Sequence, residues 1–187
     1  MAEKNLIHSF TEAATRVGTA VVPCATLAEA AAYVGRTAVG RTLIPLTSLA
    51  EKYQLRSLLA EAGVEVFAGS FREAGQLPGA GVTFCNFAMA DTGTVVLDSI
   101  SEDVRLATTI PEVHFVILDP AKIFSDNLAA VQPLQQLFSG SEPRFVAYVT
   151  GPSRTADIER VLTIGCHGPR ELHILLVPGV SDHLMEI

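Results

Sequence analysis

Thr150–Val177 reads TGPSRTADIERVLTIGCHGPRELHILLV. Phe145–Thr150 is a buried-type strand pattern that delivers the chain into it. Gly151-Pro152 then forces a turn, after which Ser153 or Thr155 is placed to cap a helix. Ile158, Val161 and Leu162 follow the i, i+3, i+4 rule and predict a short amphipathic helix. Gly165 is placed to end that helix, and Leu172–Val177 is a closing apolar strand. Two glycine loops thus flank one helix, and their polar groups are expected to converge.

Working back from this stretch, the opening third alternates strand and helix. Lys4–Arg16 is amphipathic, with Leu6, Phe10, Ala13 and Val17 on one face. Thr19–Val22 reads as a strand. Thr26-Leu27-Ala28-Glu29 and Ser48-Leu49-Ala50-Glu51 are capping boxes, opening helices to about Val34, where Gly35 is placed as a stop, and to Ala62 with a break. Thr42–Leu46 and Val64–Phe67 read as strands, and a short helix is expected from Phe71 to Gly75. This alternation favours a parallel sheet covered on both faces. Further on, Val82–Ala88, Val95–Leu97, Val104–Thr108 and Val113–Leu118 read as strands joined by turns. They make the sheet mixed. Asp119-Pro120 is an N-cap and first helical residue of a helix or helix pair to about Phe138, with Pro133 as a kink. The expected fold class is α/β, with residues 1–187 as one domain.

Composition narrows the function. The net charge of −7 is not the footprint of a nucleic-acid binder, and without tryptophan there is little to stack on bases. No apolar run reaches the length of a membrane span. The first residues, MAEKNLIHSFTEAA, include acids and lack the apolar stretch of a signal peptide. Cys24, Cys85 and Cys166 lie far apart with no C-x-x-C. That pattern suits reduced thiols in the cytoplasm and leaves this chain no cysteine set for an iron–sulfur or structural zinc site.

Each chemistry-bearing residue has a structural and a functional reading. The Gly151–Thr155 turn is either a helix cap or a small-anion cradle in which Arg154 offsets Asp157 and Glu159. Asp157 is either a dipole partner or a general acid or base. Gly165-Cys166-His167-Gly168-Pro169 sets His167 between glycines, where it reads as exposed and functional rather than as a core histidine, with Cys166 beside it. Ser153, Asp157 and His167 do not form a convincing hydrolase triad, since no G-x-S-x-G elbow is present. His114 and His173 sit in apolar strands and read as satisfied structural histidines. Asp91-Thr92-Gly93-Thr94 is a hairpin turn with Gly93 at positive φ, or the lining of a strand-end crevice. Gly79-Ala80-Gly81 lacks the dinucleotide fingerprint.

Three stretches carry a resemblance: ADTGTVVL at 90–97, GPSRTADIE at 151–159 and GCHGPRELH at 165–173. With them the chain resembles the lactate-utilization protein C family of LUD-domain proteins. That resemblance implies a three-layer α/β/α sandwich with a mixed, mainly parallel sheet, like ribose-5-phosphate isomerase and the CoA transferases. It also implies a non-redox role in the cytoplasmic oxidation of L-lactate to pyruvate, beside iron–sulfur partner proteins. A small organic acid is an expected ligand, and a homo-oligomer is left open. The other reading is a free-standing enzyme of that fold acting on a phosphorylated or acyl-CoA ligand. In it Asp91, Asp157 and His167 are the catalytic candidates. Thr92, Gly93, Thr94, Gly151, Ser153, Arg154, Thr155, Gly168 and Arg170 are the ligand-binding ones.

Overall fold

The computed structural model describes residues 2–74, 78–140, 144–156, 162–165 and 167–184, with the side chains of 2–4, 155–156 and 162–164 left aside. The helices are α1 (Ala2–Arg16), α2 (Leu27–Thr37), α3 (Ser48–Lys52), α4 (Leu55–Glu61), α5 (Glu102–Thr109) and α6 (Val131–Leu137). The strands are β1 (Ala20–Pro23), β2 (Thr42–Leu43), β3 (Ala80–Phe84), β4 (Phe87–Met89), β5 (Thr94–Asp98), β6 (Val113–Leu118), β7 (Ile123–Phe124), β8 (Val146–Val149), β9 (Arg154–Ala156), β10 (Leu162–Ile164) and β11 (Glu171–Leu176).

Five strands form the main sheet in the order β1-β11-β6-β3-β2, and every pairing in it is parallel. β6 and β11 lie inside the sheet, which is why VHFVIL and ELHILL read as nearly continuous apolar runs. On one face Val82, Phe84, Phe115, Ile117 and Leu175 pack against Val34 of α2, Leu49 of α3 and Leu55 and Leu59 of α4. On the other, Val116, Leu118, Leu172 and Ile174 meet Phe10 of α1 and Ala88, Val95 and Leu97 of a second sheet. That second sheet, in the order β7-β4-β5-β8, is mixed. Its far side is covered by α6 through Ala130 and Leu137 on Phe87, Met89 and Val96. The α/β class with a mainly parallel sheet is therefore observed, with the antiparallel pairings lying outside that sheet.

Several expected elements differ, each for a local reason. Val82–Ala88 is not one strand. Cys85 and Asn86 separate β3 from β4, which belong to different sheets. Val104–Thr108 is helical: Glu102 and Asp103 occupy the first turn of α5, and Val104, Ala107 and Thr108 form its buried stripe. Gly35 does not stop α2, because the helix crosses α4 there and a side chain would collide with the Ala62 backbone. Asp119 does cap Pro120, but only a single 3-10 turn, Pro120–Lys122, follows. Pro133 lies in the first turn of α6, where no helical N–H is lost.

The largest difference falls on Thr150–Val177. In place of the expected helix, β9 and β10 pair antiparallel, with Ala156 opposite Leu162 and Arg154 opposite Ile164. The apolar spacing of Ile158, Val161 and Leu162 is too short to decide between helix and strand. The β-branched Thr155, Thr163 and Ile164 suit the strands. Residues 157–161, including Asp157, and Cys166 lie outside the described residues.

Candidate functional site

The predicted site residues that are described gather at the amino end of the main sheet, where α1 leads into β1 and where β6 and β11 begin. They form two neighbouring groups. In the first, the hairpin tip between β4 and β5 lies on the end of α1. Gly93 (φ 66°) is pressed against Ala13 and Ala14 so closely that a side chain would collide with the helix backbone. Gly151 (φ 79°) meets Val17 in the same way. The Thr94 hydroxyl donates to Thr92 Oγ1 at 2.8 Å and shares a hydrogen bond with Thr150 Oγ1, also at 2.8 Å. Arg154 Nη2 donates to the Val17 carbonyl at 2.5 Å, placing its charge just past the C-terminal end of α1. Thr92, Gly93, Thr94, Gly151 and Arg154 therefore tie two loops to a helix end. Asp91 is exposed, and its backbone N–H donates to Ser125 O at 3.1 Å.

The second group surrounds an open cleft of about 370 Å³ lined by Thr109, Ile110, Pro111, Glu112, Gly165, His167, Gly168 and Arg170. Backbone bonds hold its rim. Ser153 N–H donates to Pro169 O at 2.8 Å, Gly165 N–H to Ser153 O at 2.9 Å and Arg170 N–H to Glu112 O at 2.7 Å. Gly168 packs on the Ser153 side chain. His167 is exposed. The Arg170 guanidinium stands 3.5 Å from Glu112 Oε2, and its side chain is 65% exposed. The cleft thus offers an imidazole and a guanidinium, the guanidinium already facing a carboxylate. Thr155 is placed on β9 by its backbone alone.

Beneath this cleft, His114 at the start of β6 is fully enclosed, with Nε2 2.9 Å from the Thr83 hydroxyl. Burial alone pulls its pKa down to about 3, so it is neutral at physiological pH. His173 lies between the Tyr33 hydroxyl, 2.9 Å from Nδ1, and Glu171, 3.0 Å from Nε2, with its ring on Phe115. His173 is a satisfied side chain of the core, as the strand pattern suggests. His114 is a core side chain too, but its Nδ1 is buried without a hydrogen-bond partner, so it is only half satisfied.

The opposite, carboxyl end of the sheet holds polar residues that no motif marks. Asn86, just after β3, accepts the Asp98 N–H on Oδ1 at 2.6 Å and donates from Nδ2 to Leu184 O at 2.5 Å. The Asp98 carboxylate accepts the Ile100 N–H at 3.1 Å and forms an ion pair with Arg144. Arg144 Nε is buried and has no hydrogen-bond partner. The pair opens on a cavity of about 260 Å³ lined by Leu46, Thr47, Ser48, Asp98, Ile100, Ser101, Val104 and Arg144. Open α/β sheets hold their ligands at this end. Asn86, Asp98 and Arg144 stand alone in sequence, so their only signal is polarity beside apolar strand ends. Cys24, at the end of β1, is buried, and burial, helped by the Glu29 charge, raises its pKa above the usual thiol value. Burial likewise holds the Cys85 thiol protonated.

Comparison with known proteins adds sequence kinship to this geometry. The sequence model of the LUD domain matches residues 7–177. Lactate utilization protein C of Bacillus subtilis is 31% identical over 161 residues, covering 77% of this chain and 65% of that protein. An uncharacterized protein of Neisseria meningitidis serogroup B is 37% identical over 105 residues, 56% of this chain and 44% of its own length. The chain thus spans about half to two thirds of the curated relatives it matches. A crystal structure of a DUF162 family protein from Deinococcus radiodurans superposes with a TM-score of 0.65 at 20% identity, covering 95% of this chain and 99% of that one. At that identity the likeness concerns the fold. Among the described residues, no helix is long and apolar enough to cross a membrane.

Proposed function

The chain belongs to the LUD domain family, and from that premise we propose that it is a non-redox component of a cytoplasmic system oxidising L-lactate to pyruvate. In this reading it acts with iron–sulfur partner proteins and contributes no cluster ligands of its own. The observation that carries the proposal is the match to a protein whose name is lactate utilization protein C, over most of this chain. The amino-end cleft is the proposed contact for a small organic acid, with Arg170 and His167 facing its carboxylate and Ser153 and Gly168 shaping the rim. Capture of the tagged chain from its native cell grown on L-lactate tests the partnership. Iron–sulfur proteins are expected in stoichiometric amounts, and their absence would sink it.

A second reading rests on the carboxyl-end cavity. Asp98 and Arg144 sit where enzymes of this architecture bind substrates, so a free-standing enzyme acting on a phosphorylated or acyl-CoA ligand is the alternative. Thermal shift separates the two readings. A ligand at a hundred times its Kd stabilises the fold by about 2.7 kcal/mol. The alternative expects such a rise with a sugar phosphate or CoA ester and its loss in Arg144→Met. The lactate reading expects no rise with these ligands.

A further inference from the structure

The outer face of α6 is built the wrong way round for a helix that meets only water. Its inner stripe, Ala130, Pro133 and Leu137, is buried on the second sheet. Its outer stripe should then be charged. Instead Val131 is 43% exposed and Phe138 53% exposed, and Leu128, in the turn before the helix, is 84% exposed. That turn is fixed, because Asp126 Oδ1 accepts the N–H groups of Leu128 and Ala129 at 2.8 and 2.9 Å. Val131, Gln135 and Phe138 follow at i, i+4 and i+7 and share one side. The patch continues onto β8. Val146 packs into the cluster beneath α6, so Tyr148, two residues on, points to the same side and is 50% exposed.

Charge identifies the occupant. From Asn127 to Gly140 the sequence NLAAVQPLQQLFSG contains no acid or base. An ordinary surface stretch of this length carries about four charges. The whole chain has a net charge of −7, and across an uncharged face two copies can approach with no like charges opposed. The polar groups on this face are the exposed amides of Asn127, Gln132, Gln135 and Gln136. An amide both donates and accepts, so it pairs with its own copy, as a two-fold interface requires. A charged partner would call for charges on this face.

We propose that Leu128, Val131, Gln135, Phe138 and Tyr148 form a two-fold interface through which a second copy of this chain docks, α6 against α6. Sedimentation from micromolar to hundreds of micromolar protein tests it. The native chain is expected to pass from monomer to dimer. Phe138→Glu and Gln135→Glu, both at exposed positions, should each weaken the dimer by roughly tenfold or more, with unchanged circular dichroism and melting temperature. The control Glu65→Gln, away from the face, should leave association unaltered. A chain that stays monomeric throughout overturns the proposal. So does a dimer that Phe138→Glu and Gln135→Glu leave intact.

Discussion

At the amino end of the parallel sheet, Gly93, Gly151, Ser153, Gly165 and Gly168 crowd into a few turns around α1, β6 and β11. At the carboxyl end, Asn86 and Asp98, 12 residues apart, are joined by Arg144 from 46 residues further on to make one largely buried network. The first region is dense in motif residues, and much of that density reports close packing: Gly93 on Ala14, Gly151 on Val17, Gly168 on Ser153. The second region is silent in sequence, yet it buries an ion pair beside a cavity. Glycine loops therefore mark where backbones must touch, whereas a buried charge marks where the fold has accepted a desolvation cost.

Substitution separates these roles. The largest effect is expected at Gly93. In Gly93→Val, a β-branched side chain at φ 66° would meet the Ala14 backbone, costing about 4 kcal/mol or preventing folding. Urea unfolding measures it against Gly179→Ala, which also replaces a positive-φ glycine but has open space around it and should cost about 1 kcal/mol. Equal costs at the two sites would remove the packing account of the amino end.

Next comes the carboxyl-end pair. Asp98→Ala leaves Arg144 largely buried without its carboxylate and should cost about 3 kcal/mol. Replacing both by Asp98→Asn with Arg144→Met should recover much of that loss, which a double-mutant cycle in urea reads directly.

The third effect is a pH dependence from His114. Its folded pKa of about 3 lies below the unfolded value of 6.5. The unfolded chain therefore binds the extra proton between those values, and acid favours unfolding. This group's contribution is fully present above pH 6.5 and is lost as pH falls toward 3. At pH 5 it should make the fold about 2 kcal/mol less stable than at pH 7. Denaturant titrations of His114→Gln at both pH values should show a slope flatter by that amount.

The smallest stability effect is expected at Arg170. Its pair with Glu112 is solvent-exposed on both sides, so Arg170→Ala should cost under about 1 kcal/mol. If the cleft holds an organic acid, the same change should impair lactate oxidation well beyond that loss of stability.

Sequence made the α/β class and most core strands legible, because β6 and β11 are buried on both faces and their apolar runs are unambiguous. It also foresaw the turn at Gly93 and the break between α3 and α4, where Gln54 takes a left-handed φ of 49°. It misjudged α5 because Val104-Arg105-Leu106 alternates like a strand, while the signal that prevailed was the acidic first turn. It could not separate β3 from β4, since Cys85-Asn86 continues an apolar run and only the second sheet explains the break. The Asp98–Arg144 pair was invisible for a simpler reason: 46 residues part its members, and spacing rules do not reach that far.

The central claim is that this chain serves lactate oxidation through its amino-end cleft. The most direct measurement is growth on L-lactate of the native cell lacking the gene, complemented with the wild-type chain or with His167→Ala/Arg170→Ala matched in stability. The account predicts that the wild-type chain restores growth and the double variant does not. Growth without the gene, or full rescue by the double variant, would contradict it.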